Sequence, residues 1–171
     1  MSHFAATISK TEDGWFASEM ELAEIEDLDG LTDALRDVAA DTEASTAVLF
    51  VEEDDEYLAI VRLDTNNEPR VFLSDVRAVD TSPIAAMLYE EAAAEELEDD
   101  EADDEDDDDE DEEESLRAEA DPAGDVELLT DLGTPGKVLL DLCAEEGMLP
   151  ADIITAVCES LGCAEQVEAL R

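Results

Sequence analysis

The chain has 171 residues, of which 53 are acidic and 8 basic, for a formal net charge of −45. That length holds one ordinary domain or two small ones. Neutralising a phosphate backbone takes clusters of Lys and Arg, so this composition all but excludes direct binding to nucleic acid, and it equally disfavours an anionic membrane surface. Hydrophobic residues make up 44%, enough for a core. No apolar run reaches the roughly 18–20 residues of a membrane-spanning helix.

The charge is unevenly spread. Residues 90–121 hold 22 acids and a single base, Arg117. Within them, residues 98–114 are acidic at 16 of 17 positions, with Ala102 the exception. The flanks are also acidic, net −16 over residues 1–89 and −8 over residues 122–171.

Residues 3–9 predict a strand, with Phe4, Ala6 and Ile8 alternating against His3, Ala5 and Thr7. Asp13-Gly14 marks a turn. Residues 15–22, opening on Trp15-Phe16, alternate again and complete a first hairpin. The period then changes. Leu28, Leu31, Leu35, Val38 and Ala39 recur at helical spacing, with Asp27 or Asp29 as the N-cap. Residues 46–52 and 57–63 are the strongest strand signals, joined by an acidic hairpin loop. Thr65-Asn66-Asn67-Glu68-Pro69 supplies another turn, and residues 70–74 a fifth strand. Ser82-Pro83 has helix-start chemistry, and the helix continues through Ile84, Met87 and Leu88 toward Leu97. The order ββαβββα predicts an α+β fold, a mainly antiparallel five-stranded sheet with its two helices on one face.

From residue 98 onward, like charges repel at every step and no apolar group offsets the entropy of ordering. A disordered, extended linker is expected, closed by the breaker cluster Asp121-Pro122-Ala123-Gly124. The remainder predicts a small helical bundle. Leu128, Leu129 and Leu132 form one short apolar face, stopped by Gly133. Thr134-Pro135 opens a helix bearing Val138, Leu139, Leu142 and Cys143. Leu149-Pro150 opens another, with Ile153, Ile154, Val157 and Leu161, ending at Gly162. The expected organisation is an α+β domain over 1–97, an acidic linker over 98–124 and a helical domain over 125–171.

No catalytic set assembles from these residues. His3 is the only histidine and sits near the N-terminus, and no glycine-rich phosphate loop occurs. Cys143, Cys158 and Cys163 are odd in number and contain no Cys-x-x-Cys pair, so neither a disulfide framework nor a zinc site is expected. Cys143 and Cys158 fall on apolar helix faces and read as core. No EF-hand pattern organises the carboxylates for calcium. The expectation is therefore no catalytic residue, no metal and no cofactor. Met1-Ser2-His3-Phe4 lacks the basic-then-apolar pattern of a secretory signal, and with the cysteine usage this makes a reducing, cytoplasmic location the default.

The candidate partner-binding residues are Glu52, Glu53, Asp54, Asp55 and Glu56, five consecutive acids at the best hairpin, together with Trp15. The hairpin acids read as a knob offered to a basic protein surface, or as a solvated turn that discourages edge aggregation. Of Trp15 and Phe16, whichever points outward is the contact residue. The long acidic run reads as a spacer that also steers association, an effect of about 10–10³ on rate that salt removes. Nothing in the sequence sets an oligomeric state.

Leu49-Phe50-Val51-Glu52-Glu53-Asp54-Asp55-Glu56-Tyr57, then Ala59-Ile60-Val61-Arg62 and Pro69-Arg70-Val71-Phe72-Leu73-Ser74-Asp75, form a specific combination with Asp121-Pro122-Ala123-Gly124-Asp125, Asp131-Leu132-Gly133-Thr134-Pro135 and Leu149-Pro150-Ala151-Asp152. In these stretches, over nearly its whole length, the chain resembles the tRNA adenosine deaminase-associated proteins of high-GC bacteria. The resemblance implies an association with the tRNA-editing deaminase, resting on adjacent genes, and carries no catalytic residues with it. The chain is not itself that enzyme. A zinc deaminase needs His-x-Glu and Pro-Cys-x-x-Cys to hold its metal and move protons, whereas His3 is followed by Phe4-Ala5 and no two cysteines have the required spacing. The resemblance and the charge together imply a non-catalytic acidic partner or regulator of the deaminase that binds protein rather than RNA. The alternative is an acidic adaptor or nucleic-acid mimic for another basic cytoplasmic protein.

Overall fold

The computed structural model describes residues 3–65, 68–99, 122–145 and 147–170. Its elements follow the chain as β1 (His3–Thr11), β2 (Gly14–Glu19), α1 (Leu28–Asp41), β3 (Thr46–Glu53), β4 (Tyr57–Asp64), β5 (Arg70–Leu73), α2 (Pro83–Asp99), β6 (Ala123–Gly124), α3 (Gly136–Ala144), α4 (Pro150–Leu161) and α5 (Ala164–Glu168). The strands form one sheet in the order β2-β1-β3-β4-β5-β6. Every neighbouring pair is antiparallel. The fold class is α+β, as the element order predicts. Asp27 caps α1, its Oδ1 accepting from the Gly30 N–H at 2.8 Å. Ser82 caps α2 by accepting from the Ala85 N–H at 3.2 Å.

Helices α1 and α2 share one face of the sheet, as expected, and the C-terminal helices, whose docking the sequence left open, cover the other. On the first face Leu49, Val51, Tyr57, Ala59 and Val61 pack against Leu31 and Leu35 of α1 and Ala85, Leu88 and Ala92 of α2. On the second, Ile8, Val48, Phe50, Leu58, Ile60 and Phe72 meet Leu128, Leu139, Ile153, Ile154, Val157 and Leu161. The cause is visible in the strands. In β3 and β4 every residue but the last is buried, and strands sandwiched between two layers read as unbroken apolar runs, not as alternation. The alternation at residues 3–9 hid this, because Ala5, Thr7 and Ser9 are small or polar yet buried as well.

The strand count is six, not five. Gly124 faces Phe72 and Ala123 faces Leu73, so the last residues of the segment read as a linker add an edge strand. Two residues carry no periodicity, and Gly124 reads as a breaker. Its backbone has φ of +96°, and a Cβ there would lie 2.2 Å from the Val71 carbonyl oxygen. The glycine allows a close backbone approach. The disordered tract expected before it lies, from residue 100 to residue 121, outside the described residues.

Three side chains of the sheet lock the C-terminal layer to it through long-range polar contacts. Arg62 projects from β4 with its side chain 6% exposed. It donates to Asp64 Oδ1 at 3.1 Å, to the Leu128 carbonyl at 2.5 Å and through both terminal nitrogens to Asp131. Arg70 on β5 pairs with Asp125 at 2.5 Å. Trp15 Nε1 donates to the Leu161 carbonyl at 2.9 Å, at the end of α4, where Gly162 takes a left-handed C-cap (φ +87°).

Candidate partner-binding surface

The hairpin between β3 and β4 divides its five acids into two sets. The turn closes through the Glu56 N–H to the Glu53 carbonyl at 2.9 Å. Asp54 and Asp55 both have positive φ, 50° and 58°, a conformation that Asp and Asn tolerate better than most residues. Asp54, Asp55 and Glu56 are exposed. Glu52 is buried on the face that the C-terminal helices cover, level with Phe4 and Leu58. Glu53 turns toward α2, where the Tyr57 and Ser82 hydroxyls both donate to its Oε2, at 2.9 and 2.6 Å, and lie 3.0 Å from each other. Because Ser82 also caps α2, this carboxylate sits at a helix N-terminus, where the dipole favours negative charge.

Burial pushes the Tyr57 phenol above its ordinary value, the Ser82 hydrogen bond opposes that shift, and the neighbouring Glu53 carboxylate adds to it. Burial likewise pushes the Cys143 thiol up, to about 11 from 9.0. In the unfolded chain both groups ionise earlier than in the fold, so the stability they confer is complete at neutral pH and falls as pH rises, from about 9 for Cys143 and from about 10 for Tyr57. Tyr57→Phe is expected to cost about 1–2 kcal/mol at pH 7 through two lost hydrogen-bond contacts, one to a charged acceptor. It should also flatten the part of the alkaline decline above pH 10. Urea unfolding at a series of pH values from neutral upward checks both.

The acidic tip lies at the same end of the sheet as the C-terminal end of β2. His3 pairs with Glu53, and Ala6 pairs with Glu19. Beside the end of β2 lies an open groove of about 560 Å³ lined by His3, Phe4, Glu19, Met20, Glu21 and Leu22. The aromatic pair splits as well. Trp15 is half-buried, bonded to Leu161, with Lys10 Nζ 5.9 Å from its ring centre. Phe16 is 56% exposed and is the member of the pair that points outward.

Among the described residues little positive charge is left free at the exterior. Every arginine among the described residues pairs with a carboxylate of the same chain. Arg36 meets Asp33, Arg62 meets Asp64 and Asp131, Arg70 meets Asp125 and Arg77 meets Asp75. Among the described residues no three His, Cys, Asp or Glu side chains are grouped so as to hold a metal ion. Cys143, Cys158 and Cys163 form no disulfide, and the last two are buried. No described helix is long and apolar enough to cross a membrane.

These features define a helix-covered antiparallel-sheet domain with an acidic exterior. The chain belongs to the Rv3753c-like tRNA adenosine deaminase-associated protein family, whose model matches residues 3–164. The family is described by its association with the deaminase, not as the deaminase itself. No curated protein and no solved structure gives a significant match.

Proposed function

We propose that the protein is a non-catalytic partner that docks its acidic exterior on the cationic tRNA-binding surface of tRNA adenosine deaminase, touching the enzyme and not the RNA. One observation carries this reading. The described arginines are all paired with carboxylates of the same chain, while Asp54, Asp55 and Glu56 project together from one hairpin turn. An enzyme that holds tRNA must present Lys and Arg, and an acidic knob is complementary to such a surface. The family description supports the choice of enzyme. The proposed contacts are Asp54, Asp55 and Glu56. Glu52 and Glu53 shape the hairpin from inside, and Trp15 anchors the strand that carries Phe16. On this reading the protein works in the cytoplasm, with its thiols reduced.

Purified deaminase should retain the protein at ~50 mM salt and release it at ~500 mM, where surface electrostatics are screened. The triple variant Asp54→Asn, Asp55→Asn, Glu56→Gln keeps residue types that suit positive φ, so the turn persists. Its association rate with the deaminase should fall about tenfold at the lower salt. Absence of binding at the lower salt overturns the reading.

A further inference from the structure

The two edges of the sheet are finished differently. On one side the sheet ends in the two-residue β6, next to the Arg70–Asp125 pair. On the other it ends in β2, six residues long, with no proline or lysine in it. The Met20 N–H donates to the Ala5 carbonyl at 3.0 Å, which sets the phase of the ladder. With Ser18 opposite Thr7 and Phe16 opposite Ser9, the backbone groups of Ser18 and Phe16 turn toward β1. Those of Trp15, Ala17 and Glu19 turn outward, and no described residue pairs with them. Such an edge is a template for another strand.

We propose that the free edge of β2 receives an extended, positively charged segment of a partner protein as a further strand, with Phe16 as its apolar anchor. Charge identifies the occupant. A second copy would bring a net −45 against −45. Glu12, Asp13, Glu19, Glu21 and Glu24 stand exposed along and beside β2. The nearby cation, Lys10, lies over the Trp15 ring. Like charges directly opposed across a strand pair are unfavourable, whereas cations on an incoming strand are favoured there. The acidity of the chain thus keeps its own copies off an edge that a basic segment can use. The inference rests on the reading that the partner is cationic, and adds where and in what conformation that partner is held.

Two synthetic probes test it on the full chain. One is an acetylated, amidated heptapeptide alternating lysine and valine. The other is the same peptide N-methylated at every residue, equal in charge but unable to extend a ladder. At ~50 mM salt the first should bind at least about tenfold more tightly than the second, and amide hydrogen exchange should slow at Trp15, Ala17 and Glu19. Ala17→Pro should erase the difference, because proline is tolerated on an edge strand where the N–H faces outward. The comparison of the two peptides needs no variant, so it stands even if that protein fails to fold. Equal binding of the two peptides, or protection confined to residues away from β2, overturns the edge site while leaving the cationic-partner reading intact. No binding of either peptide overturns both. A concentration-dependent dimer of the chain alone, removed by Ala17→Pro, assigns the edge to a second copy and also overturns the proposal.

Discussion

Arg62→Ala is expected to lower the unfolding free energy by about 3–5 kcal/mol, from the void left by a long buried side chain and the loss of its hydrogen bonds to buried acceptors. Three acceptors depend on this side chain, which is 6% exposed: Asp64, the Leu128 carbonyl and Asp131. Truncation leaves the carbonyl unsatisfied under a closed layer and sets two carboxylates near each other without a cation. Asp131→Asn should cost only about 1 kcal/mol, because an ion partner held in water contributes little, and the Asp131 side chain is 64% exposed. The asymmetry between the two substitutions separates burial from charge pairing. It also has a signature at low pH. The Arg62 hydrogen bond holds the Asp131 carboxyl below its ordinary 3.8. A depressed carboxyl confers stability that is present above the unfolded value and is lost as pH falls through the folded one. That acid limb should vanish in Arg62→Ala. Urea unfolding at neutral and acid pH, with the m-value reporting whether the C-terminal helices still bury their surface, checks each part.

The elements that carry the most pattern were legible in the sequence, and the reason is physical. Leu31 and Leu35 face one layer at helical spacing and read as helix. The runs through Phe50 and Ile60 fill a central strand pair and read as strand. Asp27 and Ser82 cap their helices as their side-chain chemistry requires. The layer arrangement was harder to read. Periodicity reports which side of an element is apolar, but not which distant element covers it, so Leu139 and Ile154 gave a helical bundle without revealing its seat on Phe50 and Ile60. One signal did point there: Arg62 stands alone as a cation within the apolar run of β4, and a buried cation requires acceptors from elsewhere. For the candidate site, the exposure of the hairpin acids was legible at the level of the loop and not of the residue. Five consecutive acids look equivalent in sequence, yet strand pairing ends between Glu53 and Asp54, which turns Glu52 and Glu53 inward and leaves three acids out. The open edge of β2 follows from strand order, a tertiary fact with no local sequence mark.

Gly124→Ala is the sharpest test of the sixth strand, with an expected loss of about 2–4 kcal/mol, above the usual cost of a strained backbone position. Two obstacles act together. The backbone at φ +96° is one that alanine avoids, and its Cβ would lie 2.2 Å from the Val71 carbonyl oxygen. No rotamer relieves a clash between Cβ and backbone, so one strand must move. β5 is held by β4 along its length, whereas β6 is only two residues long. β6 therefore gives way. The loss has a ceiling, set by what leaves with it: the Asp125 N–H to Val71 carbonyl bond at 2.9 Å, the Arg70–Asp125 pair at 2.5 Å and the burial of Ala123. Arg70→Ala removes only the ion pair, which is a quarter to a third exposed, and should cost about 1 kcal/mol. If Gly124→Ala costs no more than Arg70→Ala, the close approach at Val71 is wrong. If it costs more, and hydrogen exchange at Asp125 quickens while Ile60 in β4 stays protected, the strand has been released from an otherwise intact sheet. The tip at Asp54, Asp55 and Glu56 lies on the hairpin that joins β3 and β4. On the proposed function, a released β6 should therefore leave deaminase binding at ~50 mM salt unchanged, within about twofold, because the carboxylates proposed to steer association have not moved.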